Sequence, residues 1–256
     1  MLSPTDVNGG RASLNGVMFF SDHYVSKATL SSSGAIEVKR KKRIEQKVRF
    51  LSFFERIPFI RGLAVMGQLV LAERKIRIFY SIVACMWAYI FIIGKWFPET
   101  HPEIKIMIPI SLNNIVYFII LSLFIVLFIG LAVIRFSKLS RYHGAEHMAY
   151  NAFNAGVDLT IDNVRKMSRV SDNCGTNLIT MLVVILIILM FLFPYMPLSN
   201  LFLSLSISYE IFRLEGNIIS KPFIALGGFV QKYISTVEPD DKQIETAILA
   251  LKALDE

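Results

Sequence analysis

The sequence is short of charge and of cysteine. Only 18% of its 256 residues are Asp, Glu, Lys or Arg, while 54% are hydrophobic and grouped in blocks. Such a chain has too little polar surface to read as an ordinary water-soluble protein. The two cysteines, Cys85 and Cys174, are too few for a disulfide framework. Cys85 lies within an apolar run and reads as inert packing. The first forty residues are polar, without the apolar core of a cleavable leader, so insertion is expected to depend on internal segments. No internal repeat and no pair of interrupted apolar segments is present, which argues against a carrier or ion pathway.

What is present is membrane-like. Apolar segments at 78–97, 106–134 (after Pro109), 178–193 and 198–214 approach the roughly 20 residues that cross a bilayer as helix. Trp96 stands near the end of the first, as an interfacial anchor, and His101 lies in the loop beyond it. Pro194 and Pro197 close a tight turn before the fourth. That segment carries Ser199, Ser204, Ser206, Ser208 and Glu210, which requires neighbours to shield it from lipid. The formal net charge of +7 sits at the ends of apolar runs, where it sets orientation and meets anionic headgroups. Nucleic acid is excluded as a partner, because the basic residues do not alternate with exposed aromatics.

The expected fold is therefore mostly α: a polytopic membrane protein with about four transmembrane helices, amphipathic interfacial helices and a small N-terminal β-hairpin unit. Residues 1–50 form a cytoplasmic β-rich unit and a basic linker whose segment 39–49 faces anionic lipid; Ser31-Ser32-Ser33-Gly34 marks the hairpin connection. Residues 51–75, interrupted by Pro58, Arg61 and Gln68, read as an interfacial amphipathic helix. A four-span domain over 76–236 contains the Lys/Arg-rich cytoplasmic segment 135–176, and 223–234 looks interfacial. A cytoplasmic helix over 237–256 opens with a capping box, Asp240 with Gln243, and lines Ile244, Ile248, Leu251 and Leu254 on one stripe.

Chemistry concentrates in Tyr142-His143-Gly144-Ala145-Glu146-His147. On a helix, His143, Glu146 and His147 share a face, and two imidazoles with a carboxylate begin a divalent-metal site, zinc being the natural ion. The order H-x-x-E-H is the inverted metallopeptidase pattern, in which Glu146 would be the general base. The blander reading is a helix end whose imidazoles cap carbonyls and whose Glu146 pairs with Arg141 or Arg165. A further ligand is needed. Glu210, near the inner end of a span, comes first, and its structural alternative is a salt bridge to Arg213. Cys174 comes second, ahead of Asp172 and His23.

Several blocks together carry a resemblance. These are Gly9-Gly10 with Gly16-Val17-Met18, Pro58-Phe59-Ile60-Arg61-Gly62, the central Tyr142–His147 block, Val164-Arg165-Lys166, Cys174-Gly175-Thr176, Tyr209-Glu210 and Glu238-Pro239-Asp240-Asp241. In this order they make the chain resemble the YqhQ-like bacterial membrane proteins, the family catalogued as domain of unknown function 1385. The resemblance implies a multi-pass protein of the bacterial cell membrane with both termini cytoplasmic, and a metal-dependent enzyme. It also implies Gln where this chain has Arg11, Glu at Asn15 and Gln68, and His at Ser171. Two functions are expected from different classes. One is a metal-dependent hydrolase at the cytoplasmic membrane face, acting on a lipid-linked or membrane-embedded substrate. The other is a non-catalytic membrane partner, a regulatory or assembly subunit that keeps the family fold.

Overall fold

The computed structural model describes residues 7–43, 49–72, 112–214 and 216–254, with scattered helical residues between 77 and 92. The first expected span, 78–97, lies largely outside the described residues, as do His101 and the linker residues 44–48. The chain divides into two compact units. One comprises 1–45, 128–180 and 215–256; the other comprises 46–127 and 181–214.

The first unit opens with four strands rather than a hairpin: β1 (Val7–Ser13), β2 (Gly16–Ser21), β3 (Tyr24–Leu30) and β4 (Ile36–Lys42). They form an antiparallel meander in the order β1-β2-β3-β4. Val17 and Phe19 alternate inward from β2, and Ser26 and Ala28 from β3. The β3–β4 turn needs Gly34, whose φ is +83°. Gly9, at φ +142°, accompanies a bulge in the β1–β2 register. The basic run 39–42, expected to be linker, is part of β4. Lysines suit an edge strand because they discourage pairing with another chain. Arg40 is bound within the fold: its guanidinium lies 3.6 Å from the Tyr24 ring centre and donates to the Leu254 carbonyl.

Among the described residues, four whole helices complete this unit. The longer ones are α4 (Lys138–Asn154) and α9 (Asp241–Lys252), with the short α5 (Ile161–Arg165) and α8 (Lys221–Val230), which runs into a π-helical turn over Gln231–Ser235. The capping box of α9 is made as expected, Asp240 and Gln243 each accepting from the other's backbone N–H. Its stripe of Ile244, Ile248, Leu251 and Leu254 packs with Val17, Phe19 and Ala28 of the sheet and with Tyr142, Ala145, Met148 and Ala149 of α4. Ser26 Oγ donates to the Ala250 carbonyl, so the sheet is bonded to the last helix as well as packed on it. Burying these apolar side chains supplies the main cohesion of the unit. The Arg165–Asp241 ion pair adds little, because both groups are well exposed.

The second unit holds α1 (Arg49–Phe54), α2 (Arg61–Ala72), α7 (Pro197–Arg213), and parts of α3 (Leu112–Phe136) and α6 (Gly175–Leu192). Val116 and Ile120 of α3 pack with Leu186 of α6, joined by Leu201 of α7. Two helices are long and apolar enough to cross a membrane, over Ile115–Phe136 and Gly175–Leu192. They coincide with the second and third expected spans. The expected four are thus met by two among the described residues. Helix α7 has 17 residues, about 26 Å of rise, against a hydrocarbon core of about 30 Å. Its Asn200, Ser204, Ser206 and Ser208 are buried, whereas Ser199 is exposed and Glu210 half-buried, so the expected shielding covers part of the polar set.

Close approach to α4 depends on Gly144, where a Cβ would lie 2.5 Å from the Val237 carbonyl oxygen. Gly144→Ala is expected to cost about 1–3 kcal/mol through overpacking. Gly130→Ala in α3, where a Cβ meets nothing within 4 Å, should be neutral or stabilising, by up to about 1 kcal/mol. Thermal unfolding of the two variants in detergent checks the contrast.

Candidate metal centre

Helix α4 follows α3 across Ser137, whose hydroxyl caps the new helix by accepting from the Leu139 N–H. Apolar contacts then draw α4 into the first unit, burying Tyr142, Ala145, Met148 and Ala149. His143 and His147, one turn apart, are carried with it. Their rings meet edge to face with centroids 4.4 Å apart.

Each imidazole is held through Nδ1. His143 Nδ1 lies 3.0 Å from the Ser235 carbonyl oxygen, and His147 Nδ1 lies 2.8 Å from that of Arg169. A carbonyl only accepts, so Nδ1 carries the proton in both rings and Nε2 presents its lone pair. Carbonyl partners of this kind orient metal-ligating histidines. Cys174 Sγ lies 3.5 Å from His143 Nε2. The ligand atoms of His143, His147 and Cys174 all fall within 4.8 Å of one another. A tetrahedral zinc ion, about 2.0–2.3 Å from nitrogen and sulfur, sets neighbouring ligand atoms about 3.5 Å apart. Two imidazole nitrogens and a thiol are also the donor types that zinc takes. The residues fit the ion that the pattern implied.

The segments bearing these groups are tied down by side-chain amides, two of them buried, Asn177 and Gln231. Asn151, one turn beyond His147, donates to the Ser168 and Val170 carbonyls and so frames Arg169. Asn177 Nδ2 donates to the carbonyls of Ser171 and Asp172, which fixes the turn leading to Cys174. Gln231 donates to Asn177 Oδ1 and the Ser171 carbonyl and accepts from the Ser171 N–H. It thereby joins the Cys174 turn to the π turn that delivers Ser235. Thr176 N–H donates to Cys174 Sγ, and the Thr176 hydroxyl lies 3.5 Å from that of Ser235.

Of the residues singled out from sequence, His143, His147 and Cys174 come together. Glu146 points elsewhere: its carboxylate lies against Gly10 of β1, where a Cβ would overlap it. It is buried, with 7% exposure, and among the described residues it receives no hydrogen bond. Burial pushes its pKa up to about 7, against a smaller opposite pull from His143. The pairings with Arg141 or Arg165 considered from sequence are not made. Glu210 belongs to the second unit, where Arg61 grips both its oxygens and the Phe59 N–H donates to Oε1. That bond holds Phe59 at φ +64°, in the left-handed region that non-glycine residues rarely occupy. Arg61, rather than Arg213, is the partner of Glu210. Asp172 and His23 are exposed.

Asn151 could have been found by its place on the same helical stripe as the two histidines. Gln231 could have been found as an amide in an otherwise apolar segment. The carbonyls of Arg169 and Ser235 leave no trace in residue type. Of the departures from the family pattern, Asn15 sits exposed in the β1–β2 turn. Gln68 bonds Glu55 in the second unit, and only Ser171 adjoins the cluster.

The fold and cluster define a mostly helical protein with an N-terminal antiparallel sheet and a His-His-Cys cluster, two histidines on one helix meeting a cysteine from the turn before another. The family model described as "Protein of unknown function (DUF1385)" matches residues 17–256, so the chain belongs to that family. It is similar to "Uncharacterized protein YqhQ" of Bacillus subtilis (strain 168), at 25% identity covering 97% of this chain and 94% of that protein. No solved structure matches it.

The raised pKa of Glu146 carries a sign. The folded state keeps a proton that the unfolded chain releases above the ordinary value of 4.5, so this group subtracts stability as pH rises from 4.5 to about 7. In chelator-treated protein, Glu146→Gln should remove that decline, and denaturant titrations at pH 4.5 and pH 8 read the difference.

Proposed function

We propose that this protein is a membrane-bound, metal-dependent enzyme of hydrolytic type, with a divalent ion, zinc by ligand chemistry, held by His143, His147 and Cys174. The observation that carries the reading is that both rings are held through Nδ1 to backbone carbonyls, while His143 Nε2 lies 3.5 Å from the Cys174 sulfur and the ligand atoms of His143, His147 and Cys174 lie within 4.8 Å of one another. A bound ion would supply Lewis acidity at its open coordination position. His147, buried, anchors the set, while His143 and Cys174 are half-buried and leave the cluster reachable. Glu146, expected from sequence as the base, lies against Gly10 rather than among the three ligand atoms, so the proposal assigns it no step at the ion. Glu210 is outside the proposed ligand set, because both oxygens are engaged by Arg61.

The two membrane-length helices and the Lys/Arg-rich segment 135–176 support a multi-pass protein of the bacterial cell membrane with both termini and the cluster on the cytoplasmic side. The substrate is then a lipid-linked or membrane-embedded molecule. Anionic headgroups would meet the basic segment 39–49.

Metal analysis of the purified chain tests the reading. Near-stoichiometric zinc is expected in the wild type and in Glu210→Ala. His143→Ala, His147→Ala or Cys174→Ser should each lower zinc affinity at least tenfold. Folded wild-type protein without affinity for zinc or another divalent ion would favour the non-catalytic partner instead.

A further inference from the structure

Helix α8 is inside out. Its stripe Leu226, Phe229 and Tyr233 is 43%, 57% and 54% exposed. The opposite face, Gly227 and Gln231, is buried, and Gln231 makes its hydrogen bonds inside the fold with Ser171 and Asn177. Gly227 permits this: a Cβ there would overlap the Asn177 side chain. In water the arrangement leaves apolar area wet while sheltering an amide, the reverse of what a soluble helix does. Ile218 and Ile219, just before the helix, are 79% and 54% exposed and extend the apolar surface. From Gly216 to Val237 the only charged residues are Lys221 and Lys232, both exposed, with no acidic residue among them. An outward apolar stripe with lysines and without acids matches the boundary between lipid headgroups and acyl chains.

We propose that Leu226, Phe229 and Tyr233 are seated in that boundary of the bilayer, with Lys221 and Lys232 at the headgroup phosphates. This rests on the membrane reading above and adds to it a specific contact and a direction of approach. The same unit contains the end of α3, whose Phe128, Val133 and Phe136 are exposed like a lipid-facing surface. Because α8 continues into the turn whose Ser235 carbonyl orients His143, a seated α8 keeps the metal centre at the membrane surface. A substrate carried in the lipid would reach the centre from the α8 side.

The test uses the full chain, with Trp87 and Trp96 replaced by Phe, in phosphatidylcholine–phosphatidylglycerol vesicles. Three single-indole variants are compared: Phe229→Trp, Tyr233→Trp and, within α3, Phe128→Trp. The indoles at 229 and 233 should emit at blue-shifted wavelength. They should lose most of their fluorescence to lipids brominated near the headgroup end of the acyl chain, and little to aqueous iodide. Free quenching by iodide without quenching by bromolipid overturns the proposal. Protection from both quenchers also overturns it, since a protein then covers the stripe. Phe128→Trp judges the underlying membrane reading separately: quenching there by deeply brominated lipid sustains that reading whatever α8 does, and its absence sinks it.

Discussion

Two backbone carbonyls hold the histidine pair of this fold. By accepting from His143 Nδ1 and His147 Nδ1, Ser235 and Arg169 fix the tautomer and the direction of both rings. A histidine pair one turn apart is common on helices and by itself faces anything. Here carbonyls from two distant segments hold each ring, and His143 Nε2 lies 3.5 Å from the Cys174 sulfur. Movement of either carbonyl would free a ring to turn and loosen the cluster.

The rest of the first unit keeps those carbonyls in place. The sheet and α9 bury one side of α4, and Gly10 and Gly144 let β1 and the chain at Val237 come close to it. Asn151, Asn177 and Gln231 secure the two carbonyl-bearing segments and the Cys174 turn to each other and to α4. Buried amides are costly unless fully bonded, and fully bonded they specify one arrangement. The carboxyl of Glu146, buried and without a hydrogen bond among the described residues, is the exception.

Much of the architecture was legible in the chain. Capping-box residues, the apolar stripe of α9 and two uninterrupted apolar helices are local patterns, and local patterns survive folding because they follow from backbone geometry and side-chain spacing. The strand character of 39–42 was hidden by its charge. Lysine and arginine read as linker until a partner strand and the Tyr24 ring give them a place. Glu210 was misleading for a similar reason. A carboxylate near a span invites a functional role, yet Arg61, far away in sequence, satisfies it.

The sequence by itself determined that the chain is mainly helical and rich in membrane-length apolar segments, and that two histidines share one face of one helix. Periodicity and composition suffice for that, since each acts within a few residues of its own position. Tertiary structure alone decided which third group meets the imidazoles, which way their lone pairs turn, and that Glu146 lies against Gly10. Those outcomes depend on carbonyls and on contacts between segments tens of residues apart, which no residue type announces.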